Sequence, residues 1–146
     1  MNQLYRDLII QHYRNPLNRG LIQNSQKQNY VILQKRNISC SDKIILQVKF
    51  YNSNIVDIKY EVEGCAILIA SSSLMSVYLK ECNLKLAVVK INNFCNMLQN
   101  KKFNSEILDK ELQILEVISK FPGRFICASM PWKLLLQIID KKQKKN

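Results

Sequence analysis

The sequence predicts an α+β domain: a three-stranded antiparallel sheet packed by an N-terminal helix and a C-terminal set of helices. Three observations carry this. A period of two in hydrophobicity is confined to the stretch between Tyr30 and Glu63, a helical period precedes and follows it, and no repeat or linker interrupts a chain of 146 residues with only three Gly and three Pro. Strands followed by a run of helices is the α+β order. A domain of this length buries roughly 68–70% of the surface its unfolded chain exposes, so it needs no disulfide staple.

The elements follow in order. Gln3 to Tyr13 reads as a helix, with Tyr5, Leu8, Ile9 and His12 on one stripe. Asn15-Pro16 ends it, because the residue before a proline is pushed out of the helical region. A polar loop leads to a first strand, Tyr30 to Lys35. From Lys43, residues Ile44, Leu46, Val48 and Phe50 point one way and Gln47 and Lys49 the other. After the turn Asn52-Ser53-Asn54, Val56, Ile58, Tyr60 and Val62 alternate with Asp57, Lys59, Glu61 and Glu63, giving a hairpin with one wet face. Past Gly64 the period becomes helical. Cys65 to Lys80 is rich in small residues that permit close packing, Leu84 to Leu98 forms a second stripe, and Leu108, Leu112, Leu115 and Ile118 a third that Pro122 ends. Arg124 to Asp140 is the last helix. Residues 1–140 are expected to form one domain and 141–146 a disordered basic tail.

The chain carries 22 Lys+Arg against 11 Asp+Glu, a net charge of +11, which invites a nucleic-acid or anionic-surface reading. Two facts argue against it. Of the basic residues 17 are Lys and only five Arg, the better residue for bidentate phosphate contacts; and Lys, Asn and Ile together make up 50 residues, a global bias. No apolar run approaches the roughly 18 residues of a membrane span, and the N-terminal residues lack the basic-then-apolar layout of a secretion signal, so a cytoplasmic protein is expected.

Five cysteines then need a reason, since disulfides are disfavoured in that compartment. Cys95 shares an apolar stripe with Ile91 and Leu98 and reads as core, Cys82 lies at a helix end, and the lone His12 shares the face of Leu8. Cys40, Cys65 and Cys127 instead fall at segment boundaries, where side chains can converge without breaking a packed face. Cys65 at the start of one helix and Cys127 in the first turn of the last should have their anions favoured and their pKa values lowered by the helix N-terminus. Three thiolates and the carboxylate of Asp42 would complete a tetrahedral zinc site. By residue type alone, small core residues are the commoner reading of such cysteines.

Four motifs, in order along the chain, resemble the SufU/IscU/NifU N-terminal family of iron–sulfur cluster assembly proteins. Tyr5-Arg6-Asp7 with His12-Tyr13-Arg14-Asn15-Pro16-Leu17-Asn18-Arg19-Gly20 is similar to the family's first helix and loop, and Ser39-Cys40-Ser41-Asp42-Lys43 to its Cys-Gly-Asp loop. Glu63-Gly64-Cys65-Ala66-Ile67 with Ala70-Ser71-Ser72-Ser73 resembles its Gly-Cys…Ala-Ser-Ser-Ser helix start, and Phe121-Pro122-Gly123-Arg124-Phe125-Ile126-Cys127-Ala128 with Trp132 its third cysteine segment. The 62-residue spacing from Cys65 to Cys127, Ile126 where IscU-type chains carry histidine, and Arg124 point to the SufU branch.

The resemblance implies a Zn²⁺ site of Cys40, Asp42, Cys65 and Cys127, with Cys40 as the acceptor of persulfide sulfur from a cysteine desulfurase. It further implies that a partner histidine can replace Cys40 at the metal, that Arg124 faces the partner, and that downstream iron–sulfur assembly proteins receive the product. The alternative is a scaffold on which the same ligands build a [2Fe–2S] cluster. Ser41 replaces the family's glycine, at a place where φ > 0 or close backbone approach is expected.

Overall fold

The computed structural model describes residues 2–37 and 41–144, so Cys40 lies outside the described residues. Helix α1 spans Gln3–Arg14, and the side chain of Asn2 caps it by accepting from Leu4 N at 2.9 Å. Strands β1 (Tyr30–Asn37), β2 (Asp42–Tyr51) and β3 (Asn54–Glu63) form one antiparallel sheet in the order β1-β2-β3. The β2–β3 turn is tight: Asn52 and Ser53 take φ of 48° and 62°, the left-handed pair whose twist suits a two-residue hairpin.

Ile44, Leu46, Val48, Ile58, Tyr60 and Val62 form the buried inner face, as the alternation predicts. Two positions depart from it. The register slips between Lys49 and Phe50, which face Asp57 and Ile55, so a bulge at Val56 reverses the phase and turns Ile55, rather than Val56, into the core. Gln47, expected on the wet face, is 4% exposed because the loop after α1 folds over it: Ile22 N donates to its Oε1 at 2.8 Å, and its Nε2 donates to Ile22 O and Ser25 Oγ.

Helix α2 (Ala66–Leu79) is buried on nearly every side, and α3 (Leu84–Leu98) follows after Asn83, whose side chain accepts from Leu86 N. The stripe from Leu108 to Ile118 is not one α-helix. It resolves into a 3₁₀ turn at Ser105–Ile107, a single turn α4 (Lys110–Gln113) and a 3₁₀ stretch at Ile114–Lys120. Its apolar residues are nonetheless buried as the stripe requires, with Leu112, Leu115 and Ile118 fully inside.

Helix α5 runs from Pro122 to Lys144. Pro122 therefore opens this helix, the position where a proline's missing N–H costs nothing. Four residues of the expected tail continue the helix, with Lys144 Nζ 3.1 Å from Asp140 one turn back. Pro131 sits inside α5. It has no N–H to offer the carbonyl four residues earlier, that of Cys127, so the ladder is loosened at the turn carrying that thiol.

Candidate metal centre

Three of the residues singled out from sequence converge at one end of the sheet. Asp42 is the first residue of β2, opposite Asn37 in the ladder; Cys65 is the N-cap of α2; Cys127 lies on α5. Their donor atoms all lie within 4.8 Å of one another, and Cys127 Sγ donates to Asp42 Oδ2 at 3.0 Å. Asp42 is 2% and Cys127 9% exposed, while Cys65 is exposed at the mouth.

Cys127 is the sixth residue of α5 rather than part of its first turn, which changes its chemistry. Burial, followed by its hydrogen bonds with Asp42 and Cys65, pushes its thiol pKa up rather than down. A buried carboxylate beside two thiols is a costly arrangement that a divalent cation relieves, by drawing the protons off sulfur. Ligands about 2.0–2.3 Å from zinc stand roughly 3.5–3.8 Å apart, so the donors need shifts of only about 1 Å or less to reach that spacing. The donor set fits zinc, with one place left for a fourth ligand.

The backbone explains why Asp42 points here. A Cβ on Gly64 would overlap Asp42 Oδ1 and come 2.9 Å from Leu68 Cδ2, so only glycine lets β3 pass beneath the carboxylate. Ser41, preceding Asp42, takes φ 59°, the left-handed conformation anticipated for the family's glycine. A serine holds it at a cost of about 1–2 kcal/mol.

Helices α2 and α5, which position Cys65 and Cys127, are joined by a buried seam that sequence reading did not anticipate. Ser71 Oγ donates to Ala128 O at 2.6 Å and accepts from Trp132 Nε1 at 2.9 Å, and Trp132 stacks on Phe94 with ring centroids 4.0 Å apart. The small-residue run around Ser71 was legible as close packing; its hydrogen bonds were not. Nearby, Arg124 lies 4.3 Å over the Phe121 ring and Nη1 reaches Tyr5 Oη at 3.5 Å, at a shallow apolar surface with Ile10 and Ile67.

The remaining candidates separate cleanly. Cys95 packs against the core and burial raises its thiol to about 11. Cys82 is buried, its Sγ 3.5 Å from Tyr78 O. His12 is buried away from the donors; Nδ1 meets Ser73 Oγ at 2.7 Å, and Nε2 lies 3.8 Å from Glu111.

The class of protein this α+β scaffold defines is one that gathers two thiols and a carboxylate beside a helix N-terminus, a donor set that could hold a metal ion. The family described as NifU-like N-terminal domain matches residues 4–128. The chain is 33% identical to the zinc-dependent sulfurtransferase SufU of Bacillus subtilis (strain 168), covering 100% of this chain and 96% of that protein. It is 29% identical to the iron–sulfur cluster assembly scaffold protein IscU of Streptococcus pyogenes serotype M1, over 97% of this chain and 86% of that one. The fold matches the crystal structure of a putative iron–sulfur cluster assembly scaffold protein for the SUF system from Fervidobacterium islandicum AW-1 with a TM-score of 0.82 at 28% identity, covering 93% and 96% of the two chains. The chain belongs to the NifU-like N-terminal domain family, as a SufU-type iron–sulfur cluster assembly protein. Among the described residues no helix is long and apolar enough to cross a membrane.

Proposed function

We propose that this chain is a zinc-dependent sulfur acceptor working in the cytoplasm, taking persulfide sulfur from a cysteine desulfurase and passing it to downstream iron–sulfur assembly proteins. The observation that carries this reading is the convergence of Asp42, Cys65 and Cys127, with Cys40 only two residues before Asp42 in the chain. Cys40, Asp42, Cys65 and Cys127 would hold Zn²⁺. Bound there, the ion keeps thiolates deprotonated near neutral pH.

The chemistry is thiol–disulfide exchange. The Cys40 thiolate attacks the outer sulfur of the donor's persulfide; a new S–S bond forms at Cys40, the donor's S–S bond breaks, and the donor cysteine leaves as thiolate. Cys40 is taken as the acceptor because the sequence pattern puts it between two strands, two residues before Asp42, whereas Cys65 and Cys127 are fixed by α2 and α5. Arg124, held beside Cys127 against Tyr5, is suited to meet the partner.

Elemental analysis of the purified protein tests the metal: about one zinc per chain in wild type, and a marked loss in Asp42→Ala. Iron with acid-labile sulfide after anaerobic purification would instead make this a cluster scaffold. Cys40→Ala should accept no labelled sulfur from a desulfurase; acceptance at the wild-type rate would remove Cys40 from the role.

A further inference from the structure

A second concave surface lies beside the donor cluster. A groove of about 480 Å³ runs between the end of β1 and α5, with Lys35, Arg36 and Asn37 on the strand side and Ile126, Met130 and Leu134 among its apolar residues on the helix side. Consecutive strand residues point to opposite faces, so a groove reached by three in a row lies along the strand's edge. Among the described residues no second strand pairs along that edge at Lys35 and Arg36: β1 pairs with β2, and the isolated bridges, Arg19 to Tyr60 and Asn54 to Asn83, both involve β3.

The charge on the groove is of one sign. Lys35, Arg36 and Lys133 are exposed, and among the described residues no acidic one lines the groove and none of the three makes an ion pair. Elsewhere the cations Arg19, Lys80, Lys90 and Lys144 each sit on a carboxylate. Lysines on an edge strand guard against mispairing, but that role needs no apolar groove alongside. Ile126, immediately before Cys127, is 53% exposed at one end.

We propose that this groove docks an extended acidic segment of a partner protein as a fourth strand on β1. Carboxylates of the segment meet Lys35 and Lys133 at the groove and Arg36 on the strand's other face, and apolar side chains lie on the exposed Ile126, above the buried Met130 and Leu134. A second copy of this chain is a poor occupant, since each copy carries a net charge of +11. A nucleic acid is a poor one too: the aromatic ring in the groove, Phe125, already has the Lys133 ammonium 4.7 Å from its centre, and stacked bases need a free ring. A segment seated here is held next to Cys127, and opposite Asp42 through Asn37. The inference stands apart from the metal reading, and its test needs no metal.

The test is fluorescence anisotropy with the full chain and a dye-labelled octapeptide alternating glutamate and leucine. The comparisons are a peptide of the same composition in block order, an alternating peptide N-methylated at every second residue, and an oligothymidylate of equal charge. Variants are Lys35→Glu/Lys133→Glu, and Lys101→Glu/Lys102→Glu as a charge control on exposed residues outside the groove, both checked for folding by circular dichroism. The alternating peptide should bind, lose about tenfold or more in affinity with the groove double variant and on N-methylation, and be little affected by the control variant. Equal losses in the two variants, equal binding of block and alternating peptides, tighter binding of the oligothymidylate, or no peptide binding at millimolar concentration would each overturn the proposal.

Discussion

The two sides of the donor cluster are built on opposite principles. On the helical side, α2 and α5 are fastened by Ser71, which serves both the Ala128 carbonyl and Trp132, with Trp132 stacked on Phe94 and all three side chains buried. On the strand side, Asp42 follows a left-handed serine and rests against the backbone of Gly64 with no room to spare. One side sets the Cys65–Cys127 spacing by packing. The other presents its donor directly after a residue in the left-handed conformation and in contact with Gly64. The contrast teaches that order in the two flanks is achieved by different chemistry: the seam is a satisfied polar pair in a buried core, and the approach to Asp42 is a backbone compromise at Ser41 and Gly64.

The largest effect should come from opening the seam. Trp132→Ala removes a fully buried ring and leaves Ser71 with one partner, and should lower the unfolding free energy by about 3–5 kcal/mol in urea titrations with an unchanged slope. If the loss is under about 1 kcal/mol, the seam does not hold the helices. The strand side breaks differently. In Gly64→Ala the added methyl competes with Asp42 Oδ1, so metal retention on dialysis should fall sharply while stability drops only about 1–3 kcal/mol. Wild-type metal content in this variant would mean Asp42 is free to move away.

A third probe reads the helical side through pH. Burial lowers the pKa of His12 below 6.5, against the smaller opposing pull of Glu111. The ring is neutral in both states above 6.5, and as pH falls the unfolded chain takes up its proton first. Stability should therefore decline from about 6.5 down to the depressed folded value and level off below it. His12→Gln should flatten that part of the stability–pH curve, and an unchanged curve would exclude His12 as its source. The smallest effect is expected at Ser41→Gly, which relieves the left-handed φ but adds unfolded-state freedom, for a net change of about 1 kcal/mol or less. A destabilisation larger than that would show that the serine side chain itself holds the loop.

Much of this was legible beforehand, for reasons tied to particular residues. The alternation through Ile44, Leu46 and Val48 and the Asn52-Ser53 turn specify the hairpin locally, and the boundary positions of Cys65 and Cys127 marked them as able to meet. The bulge at Val56 escaped because a run of Ile55, Val56 and Ile58 has apolar residues in both phases, and only the partner strand chooses between them. Gln47 escaped because the loop that buries it lies more than twenty residues away. The lowered pKa expected for Cys127 failed on a helix start misplaced by two residues, which moved the thiol out of the first turn and against a buried carboxylate.

Periodicity and turn chemistry thus carry the α+β order and the hairpin, since each depends on residues near one another in the chain, and the resemblance of several motifs to one family supplies the candidate ligands. The closeness of Asp42 to Gly64, the Ser71–Trp132 seam, the protonation of Cys127 and the basic groove beside β1 emerge only on folding. Each is a contact or a field between segments far apart in sequence, and its energy depends on burial and distance that no local pattern encodes.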